Sequence, residues 1–291
     1  MSCITEFFDI AGITLKVTFE QQGDDIRMLP TFVDFSSLET YVDAHVSVTV
    51  GRCNGMEKGR LLDRQETPIG SVDVERLRYG YRCMLYDKSD VRTCVVEADD
   101  TFAHCRCELY GSYAKRCAAL KDALLMIFSA AASFHNTLII HSSVVNCCGR
   151  AYCFLGRSGT GKSTQADLWV RNVEGTSILN DDGPILQLRG NKIYVSGSPW
   201  SGKRNYCKNE MIEMGAMVLI DRAEKDSIDR LTPTEAFAKY YSSFSCFSYD
   251  SAIRNNFINT YSSIISVTPS YVLHCLPDAN SAILCSRAVA G

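Results

Sequence analysis

The first 112 residues alternate between apolar and polar positions in short runs. Residues 8–19 alternate around Gly12, which predicts a β-hairpin, and residues 46–50 predict a short strand. Residues 92–97 and 101–110 have the same alternation on either side of Asp99 and Asp100, which predicts a second antiparallel pair. This part of the chain is therefore predicted to be a β-rich N-terminal region, residues 1–112, without a catalytic signature.

The apolar period changes to that of a helix over residues 114–135. Cys117, Leu120, Leu124, Ile127 and Phe128 recur at helical spacing and predict one amphipathic helix. The apolar run 137–145, the turn residues 146–149 and the apolar run 151–155 then predict a hairpin. We expect a second domain to span residues 113–291.

The register of that hairpin determines the position of His141. If the turn is centred between Cys147 and Cys148, His141 lies opposite Phe154 in the neighbouring strand. A histidine on a strand is often a core residue, but this register places His141 close to the residues that follow the hairpin.

Further elements follow the same rules. Residues 177–180 and 217–220 predict strands, and residues 185–188 and 192–196 predict a hairpin around Gly190. A helix is predicted over 233–241 with Thr232 as its N-cap, followed by a strand over 271–276 and a helix over 277–288.

The segment between the hairpin and the next helix carries the pattern G-x-x-x-x-G-K-[ST]. In such a loop, backbone N–H groups surround phosphate oxygens, the lysine reaches the β- and γ-phosphates, and the hydroxyl binds Mg²⁺. An apolar strand before it and a helical segment after it favour this interpretation over a glycine-rich surface turn. The predicted nucleotide-binding residues are Gly156, Ser158, Gly159, Thr160, Gly161, Lys162, Ser163 and Thr164.

Two carboxylates return to this loop from the strand at 177–180. Asp181 and Asp182 are adjacent in an extended segment, so their side chains point to opposite faces. One can therefore bind Mg²⁺ while the other faces an acceptor hydroxyl, as phosphoryl transfer requires. Gly183 and Pro184 show that the pair also begins a turn, and the two roles are compatible.

A later loop, residues 197–204, supplies two cations. Lys203 or Arg204 is predicted to stabilise a transferring phosphate; the alternative is a solvated basic loop.

The composition of the chain limits the class of protein and the partners that it can have. The chain has 291 residues, 46% apolar and 22% charged, with a net charge of −3, which favours a globular protein without a nucleic-acid or membrane partner. No signal peptide is visible, and the apolar stretch 123–132 is too short to span a bilayer, so we expect a cytoplasmic protein.

The cysteines number fourteen but form no C-x-x-C pair. In residues 104–108, alternation predicts that Cys105 and Cys107 pack in a core, with His104, Arg106 and Glu108 on the other face, rather than that the group binds a metal.

Residues 135–291 resemble the HPr kinase/phosphorylase family, which shares a nucleotide-binding core with phosphoenolpyruvate carboxykinase. The resemblance rests on the segments 141–145, 156–164, 179–182, 197–202 and 228–236 and on residues 276–278. It implies an α/β (α+β) fold, with a mixed β-sheet phosphoenolpyruvate carboxykinase/HPr kinase-like P-loop core behind the β-rich N-terminal region.

The resemblance also implies roles for individual residues. Lys162 would bind the β/γ-phosphates, Ser163 and Asp182 would bind Mg²⁺, and Asp181, assisted by His141, would be the base; the reverse division of the two aspartates stays open. The implied function is an ATP- and Mg²⁺-dependent serine kinase acting on a protein, peptide or small molecule, with GTP as the alternative nucleotide. A regulatory nucleotide-binding module without turnover and a carboxykinase-type activity are the competing hypotheses.

Overall fold

The computed structural model describes residues 3–20, 24–39, 41–51, 58–67, 69–202 and 204–290. The chain divides into two compact units: Met1–His135 with Phe247–Arg254, and Asn136–Cys246 with Asn255–Gly291. Each unit contains one mixed β-sheet, so the protein is a mixed α/β protein.

The first unit is an eight-stranded sheet with one long helix. Its strand order is β1-β2-β3-β8-β7-β6-β5-β4, in which β3 runs parallel to both of its neighbours and the other pairs are antiparallel. The elements are β1 Ile4–Ile10, β2 Ile13–Phe19, β3 Ala44–Val50, β4 Arg60–Thr67, β5 Gly70–Arg76, β6 Tyr81–Asp87, β7 Arg92–Ala98, β8 His104–Leu109 and α1 Tyr113–Ala132. The hairpin β1–β2, the strand β3 and the pair β7–β8 confirm the predictions, whereas β4, β5 and β6 had not been predicted.

Helix α1 packs on β3, β7 and β8, so it belongs to the first unit. The boundary between the units therefore falls after His135, whereas the sequence placed it after residue 112. The segment Tyr113–His135 is also longer than the predicted apolar stretch, and by length and mean hydropathy it is the one described helix that would suffice to cross a membrane. Because 56% of its apolar window is buried in the protein, the same properties fit a core helix, and the localisation stays a prediction.

The cysteines of β8 lie as the alternation predicts. Cys105 and Cys107 are buried, and His104 and Arg106 are exposed. Glu108, predicted on the exposed face, is also buried, where it pairs with Arg106 at 2.6 Å and accepts a hydrogen bond from the hydroxyl of Tyr110 at 3.0 Å.

The second unit is a ten-stranded sheet with helices on both faces. The main strand order is β12-β10-β11-β15-β14-β13-β9-β17, and β18 pairs with β15 and β16. The elements are β9 Thr137–Ile140, β10 Ser142–Cys147, β11 Arg150–Leu155, α2 Lys162–Asn172, β12 Thr176–Asp182, β13 Ile185–Arg189, β14 Lys192–Ser196, β15 Met211–Arg222, β16 Ser227–Arg230, α3 Pro233–Tyr240, β17 Phe244–Ser245, α4 Ser251–Val267, β18 Ser270–Cys275 and α5 Ala279–Ala290. Helix α4 begins in the segment 247–254 of the first unit and continues in the second.

Alternation along the central strands produces two cores in this unit. One face of the sheet buries Cys153 and Leu155 against Phe257 and Tyr261 of α4. The other face buries Tyr152 and Phe154 against α2 and α5. Helix α3 confirms its prediction in detail, since Thr232 caps it and forms a reciprocal capping box with Glu235.

Candidate functional site

The predicted phosphate loop joins β11 to α2 and depends on glycine. Gly156, Gly159 and Gly161 have φ values of +144°, +80° and +113°, which L side chains rarely adopt. A Cβ atom on Gly156 would lie 2.6 Å from Thr160 Oγ1 and 3.3 Å from the carbonyl oxygen of Ile220. The helix begins at Lys162 with no side-chain cap, so the N–H groups of its first turn have no side-chain acceptor at this end. The strand–loop–helix order is as predicted.

Lys162 is buried beneath this loop. Its Nζ lies 2.9 Å from the carbonyl oxygen of Gly156, 3.4 Å from that of Arg157 and 3.0 Å from Nε2 of His141. Burial lowers the pKa of Lys162, and the charges of Asp182 and Asp181 offset only part of this effect. A protonated ammonium can only donate a hydrogen bond, so with Lys162 in that form Nε2 of His141 is the acceptor, which corresponds to the tautomer with its proton on Nδ1.

Asp181 lies buried at the end of β12 among hydroxyl groups. Its Oδ1 accepts a hydrogen bond from Ser163 Oγ at 2.9 Å and another from Ser143 Oγ, and the two serine oxygens are 3.3 Å apart. Ser143 lies directly opposite Asp181 in the β10–β12 ladder, which explains why this contact forms. The result is a cluster of oxygen atoms beside the first turn of α2.

Asp182 points elsewhere and contacts the histidine. Its backbone φ is +140°, its side chain is 47% exposed, and its Oδ1 lies 2.9 Å from His141 Nδ1. The structure thus joins Asp181 to Ser163 and Asp182 to His141, which corresponds to the reverse division that the resemblance left open.

His141 lies closer to the loop than the predicted register placed it. The turn of the hairpin consists of Cys148 and Gly149, whose φ values of +51° and +80° fit a two-residue turn of type I′. Ser143, rather than His141, is therefore opposite Phe154. His141 precedes Ser143 by two residues and so lies beyond that end of the ladder. The predicted strand 137–145 is also interrupted at His141, because β9 pairs with β13 and β17 whereas β10 pairs with β11 and β12.

The loop after β14 is hydrogen-bonded to the end of β12. The side-chain amide of Asn180, fully buried, donates to the carbonyl oxygens of Ser198 at 3.1 Å and Tyr206 at 3.2 Å. The N–H of Gly202 donates to the carbonyl oxygen of Asp181 at 2.6 Å. Asn180 is therefore a structural support for the site to which the sequence had assigned no role.

Of the two predicted cations, Arg204 reaches the site and Lys203 lies outside the described residues. Arg204 donates from both terminal nitrogens to Asp167, at 2.6 and 2.7 Å, and its Nε lies 3.9 Å from Asp181 Oδ2. The hydrogen bonds to Asp167 raise the pKa of Arg204 further above its ordinary value. Asp167 had not been predicted, although it lies four residues after Ser163 and hence on the same face of α2.

These residues surround a cleft of about 400 Å³. Its lining includes nearly all the predicted site residues and two additions, Gly202 and Arg222. Gly156 and Thr160 are absent from the lining that the structure describes. The lining is His141, Ser158, Gly159, Gly161, Lys162, Ser163, Thr164, Asp181, Asp182, Gly202, Arg204 and Arg222.

The oxygen cluster fits Mg²⁺ only together with a phosphate. Mg²⁺ prefers oxygen ligands and is usually held by one or two carboxylates with substrate phosphates and waters. Within the described ranges, no group of three or more His, Cys, Asp and Glu side chains is arranged to hold a metal ion alone. Asp181 and Ser163 supply one carboxylate and one hydroxyl beside the phosphate loop, which matches this requirement.

Comparisons with known proteins show likeness in structure but not in sequence. No protein-family model matches the chain, and no curated protein matches it in sequence. A solved structure of the Hpr(Ser) kinase/phosphatase from Coxiella burnetii is similar, with 12% identity and a TM-score of 0.32, over 52% of this chain and 93% of that protein. At this level of similarity, the function has to be argued from the site itself.

Proposed function

We propose that the protein is an ATP- and Mg²⁺-dependent kinase that transfers the γ-phosphate to a serine-type hydroxyl of a protein, peptide or small molecule. The observation that carries the proposal is the pair of carboxylates at the end of β12. Asp181 contacts the loop serine and Asp182 contacts His141, and both line the cleft over the phosphate loop. Phosphoryl transfer needs this separation of a metal-binding carboxylate from an acceptor-binding one.

The nucleotide would be bound by the glycine-rich loop and Lys162. N–H groups of the loop and of the first turn of α2 would face the phosphates, and Lys162 would reach the β- and γ-phosphates. Ser163 and Asp181 would hold Mg²⁺, which when bound neutralises charge on the phosphates. ATP is the proposed nucleotide, with GTP as the alternative.

The acceptor would be activated by Asp182 and His141. Nδ1–H of His141 donates to Oδ1 of Asp182, which leaves the other carboxylate oxygen to accept the proton of the acceptor hydroxyl. The hydroxyl oxygen then forms a bond to the γ-phosphorus as the bond between that phosphorus and the β,γ-bridging oxygen breaks, giving a phosphate ester and ADP. Arg204, oriented by Asp167, would stabilise charge on the transferring group, and Lys203 is a further candidate for that role.

Two other functions remain as competitors. A regulatory module that binds nucleotide without turnover would keep the loop but need neither Asp182 nor His141. A carboxykinase would use the same phosphate loop for decarboxylation of oxaloacetate, so incubation with oxaloacetate and ATP tests it directly.

The decisive experiment separates the two aspartates. Transfer from γ-labelled ATP to a panel of serine peptides and small hydroxyl compounds is measured together with Mn²⁺ affinity in the presence of ADP. We expect Asp181→Asn to lose both, and Asp182→Asn to keep Mn²⁺ binding while transfer falls about 10²- to 10³-fold. Asp229→Asn, at an exposed position outside the cleft, is the matched control. Nucleotide binding with no transfer to any acceptor would favour the regulatory module instead.

A further inference from the structure

Arg222 lines the cleft and contacts the backbone of the phosphate loop. It is the last residue of β15, which runs parallel to β11 with Leu219 opposite Leu155, so both strands end beside the loop. Its Nε donates to the carbonyl oxygen of Thr160 at 3.3 Å, and its Nη2 donates to that of Gly159. One guanidinium group therefore binds two successive carbonyl groups of the loop.

The carbonyl oxygens of this loop are shared between two cations. Lys162 binds those of Gly156 and Arg157, and Arg222 binds those of Gly159 and Thr160. The described chain contains no cis peptide bond, so each carbonyl and the N–H of the following residue point in opposite directions. A carbonyl that is drawn toward Arg222 thus turns the next N–H away from it.

The N–H groups of the two peptide groups bound by Arg222, Gly159–Thr160 and Thr160–Gly161, have different surroundings. The N–H of Thr160 is used within the loop, where it donates to the carbonyl oxygen of Arg157 at 3.2 Å. The N–H of Gly161 lies on the opposite side of its peptide group from Arg222, in a residue that lines the cleft. Gly161 has a φ of +113°, and because glycine is conformationally permissive, its residue type alone does not fix the orientation of this peptide group.

We propose that Arg222 is a positioning residue, which orients the Gly159–Thr160–Gly161 backbone so that the N–H of Gly161 binds nucleotide phosphate. The proposal rests on the proposed function, because it concerns the same phosphate loop. Arg222 and Lys162 bind different parts of the loop. When Lys162 turns toward a phosphate, Arg222 would still bind the carbonyl groups of Gly159 and Thr160.

The two-pronged contact requires arginine rather than a positive charge. Nε and Nη2 of a guanidinium group are fixed in one plane at a spacing that suits two neighbouring oxygens, whereas lysine presents a single nitrogen. Substitution by lysine keeps the charge at the cleft and removes the fork. This difference separates loop positioning from direct attraction of the nucleotide.

The experiment measures the affinities of ADP and adenosine by calorimetry for the wild type, Arg222→Lys, Arg222→Gln and the control Arg171→Gln at an exposed position on α2. We expect both Arg222 variants to bind ADP about 10-fold more weakly, since hydrogen bonds to a charged group are lost, while adenosine affinity stays unchanged. Arg171→Gln should bind both ligands like the wild type. ADP affinity restored by Arg222→Lys, or unchanged in Arg222→Gln, would overturn the proposal.

A backbone measurement provides the second readout. In amide NMR spectra of the folded protein, pyrophosphate should shift the Gly161 N–H resonance in the wild type and shift it less in both Arg222 variants. Equal shifts in all three proteins would contradict the inference. A wild type that binds neither ADP nor pyrophosphate would instead refute the proposed function, so the two failures are distinguishable.

Discussion

Among the residues that the structure describes, each unit buries one basic side chain in or beside its sheet, and the surroundings of the two cations differ. Arg82 of β6 is 3% exposed and lies between Glu75 and Glu97, which are its direct partners on the two neighbouring strands. Its nitrogens contact their carboxylates at 2.7 to 2.9 Å. Lys162 of α2 is 8% exposed, and no described carboxylate forms an ion pair with it within 4.0 Å.

The pKa values of the two cations move in opposite directions. Burial lowers the pKa of Arg82, but Glu97 and Glu75 outweigh it, and the net shift is upward. Burial lowers the pKa of Lys162, and there the more distant Asp182 and Asp181 do not compensate. A buried charge that is fully neutralised serves the fold, whereas one left partly uncompensated in a cleft is suited to bind an anion.

The first prediction concerns the uncompensated cation. If the protein is the kinase that we propose, Lys162→Met should reduce phosphoryl transfer about 10³-fold, because the charge proposed to bind the β- and γ-phosphates is removed. The free energy of unfolding should change by less than about 1 kcal/mol, since the lost contacts are offset by the removal of a buried charge. Transfer assays and urea unfolding of the same preparation check both parts. A large loss of stability would show that Lys162 is as structural as Arg82.

The second prediction concerns the neutralised cation. Arg82→Met should lower the free energy of unfolding by about 3 kcal/mol. This value is at the low end of the range for a broken buried ion pair, because the Glu97 side chain is 36% exposed. The triple variant with Glu75→Gln and Glu97→Gln should recover most of this loss, since no carboxylate is then left without a partner. Denaturant unfolding of both variants is the measurement. If the triple variant is as unstable as the single one, packing rather than charge explains the effect.

The third prediction concerns an acidic group of the first unit. Burial raises the pKa of Asp122 on α1 from 3.8 to about 6. The protonated form is thus favoured in the folded state, so the stabilisation is fully present below pH 3.8 and is lost as the pH rises through about 6. Because the side chain is partly exposed, we expect a change of about 1 kcal/mol. Unfolding curves between pH 4 and 7 should show this slope in the wild type and a weaker one in Asp122→Asn; identical slopes would exclude Asp122 as the cause.

Local patterns in the sequence predicted the conformation of most of the glycine-rich loop and its flanking elements. The glycines 156, 159 and 161 have the positive φ angles that their residue type permits, and Thr232 caps α3 through a contact three residues away. The hairpin β13–β14 and the strand before the aspartate pair were likewise predicted. In each case, the determining interactions lie within a few residues of chain, so they are visible in the sequence pattern.

Interactions between distant segments had to come from the tertiary structure. Because the turn is of type I′ at Cys148–Gly149, the hairpin register differs by two residues from the predicted one. The β10–β12 ladder brings Asp181 into contact with Ser143 and Ser163. Arg222 meets the loop only because β15 pairs with β11 across more than sixty residues of chain. Strands β4 to β6 and helix α4 also escaped prediction.

The sequence by itself therefore determined that a strand, a glycine-rich loop and a helix meet two adjacent carboxylates. Only the tertiary structure decided which carboxylate faces Ser163, which one faces His141, and that Arg222 supports the loop. The reason is physical: glycine and capping preferences act within one turn of chain, whereas strand register and parallel pairing depend on the packing of the whole sheet.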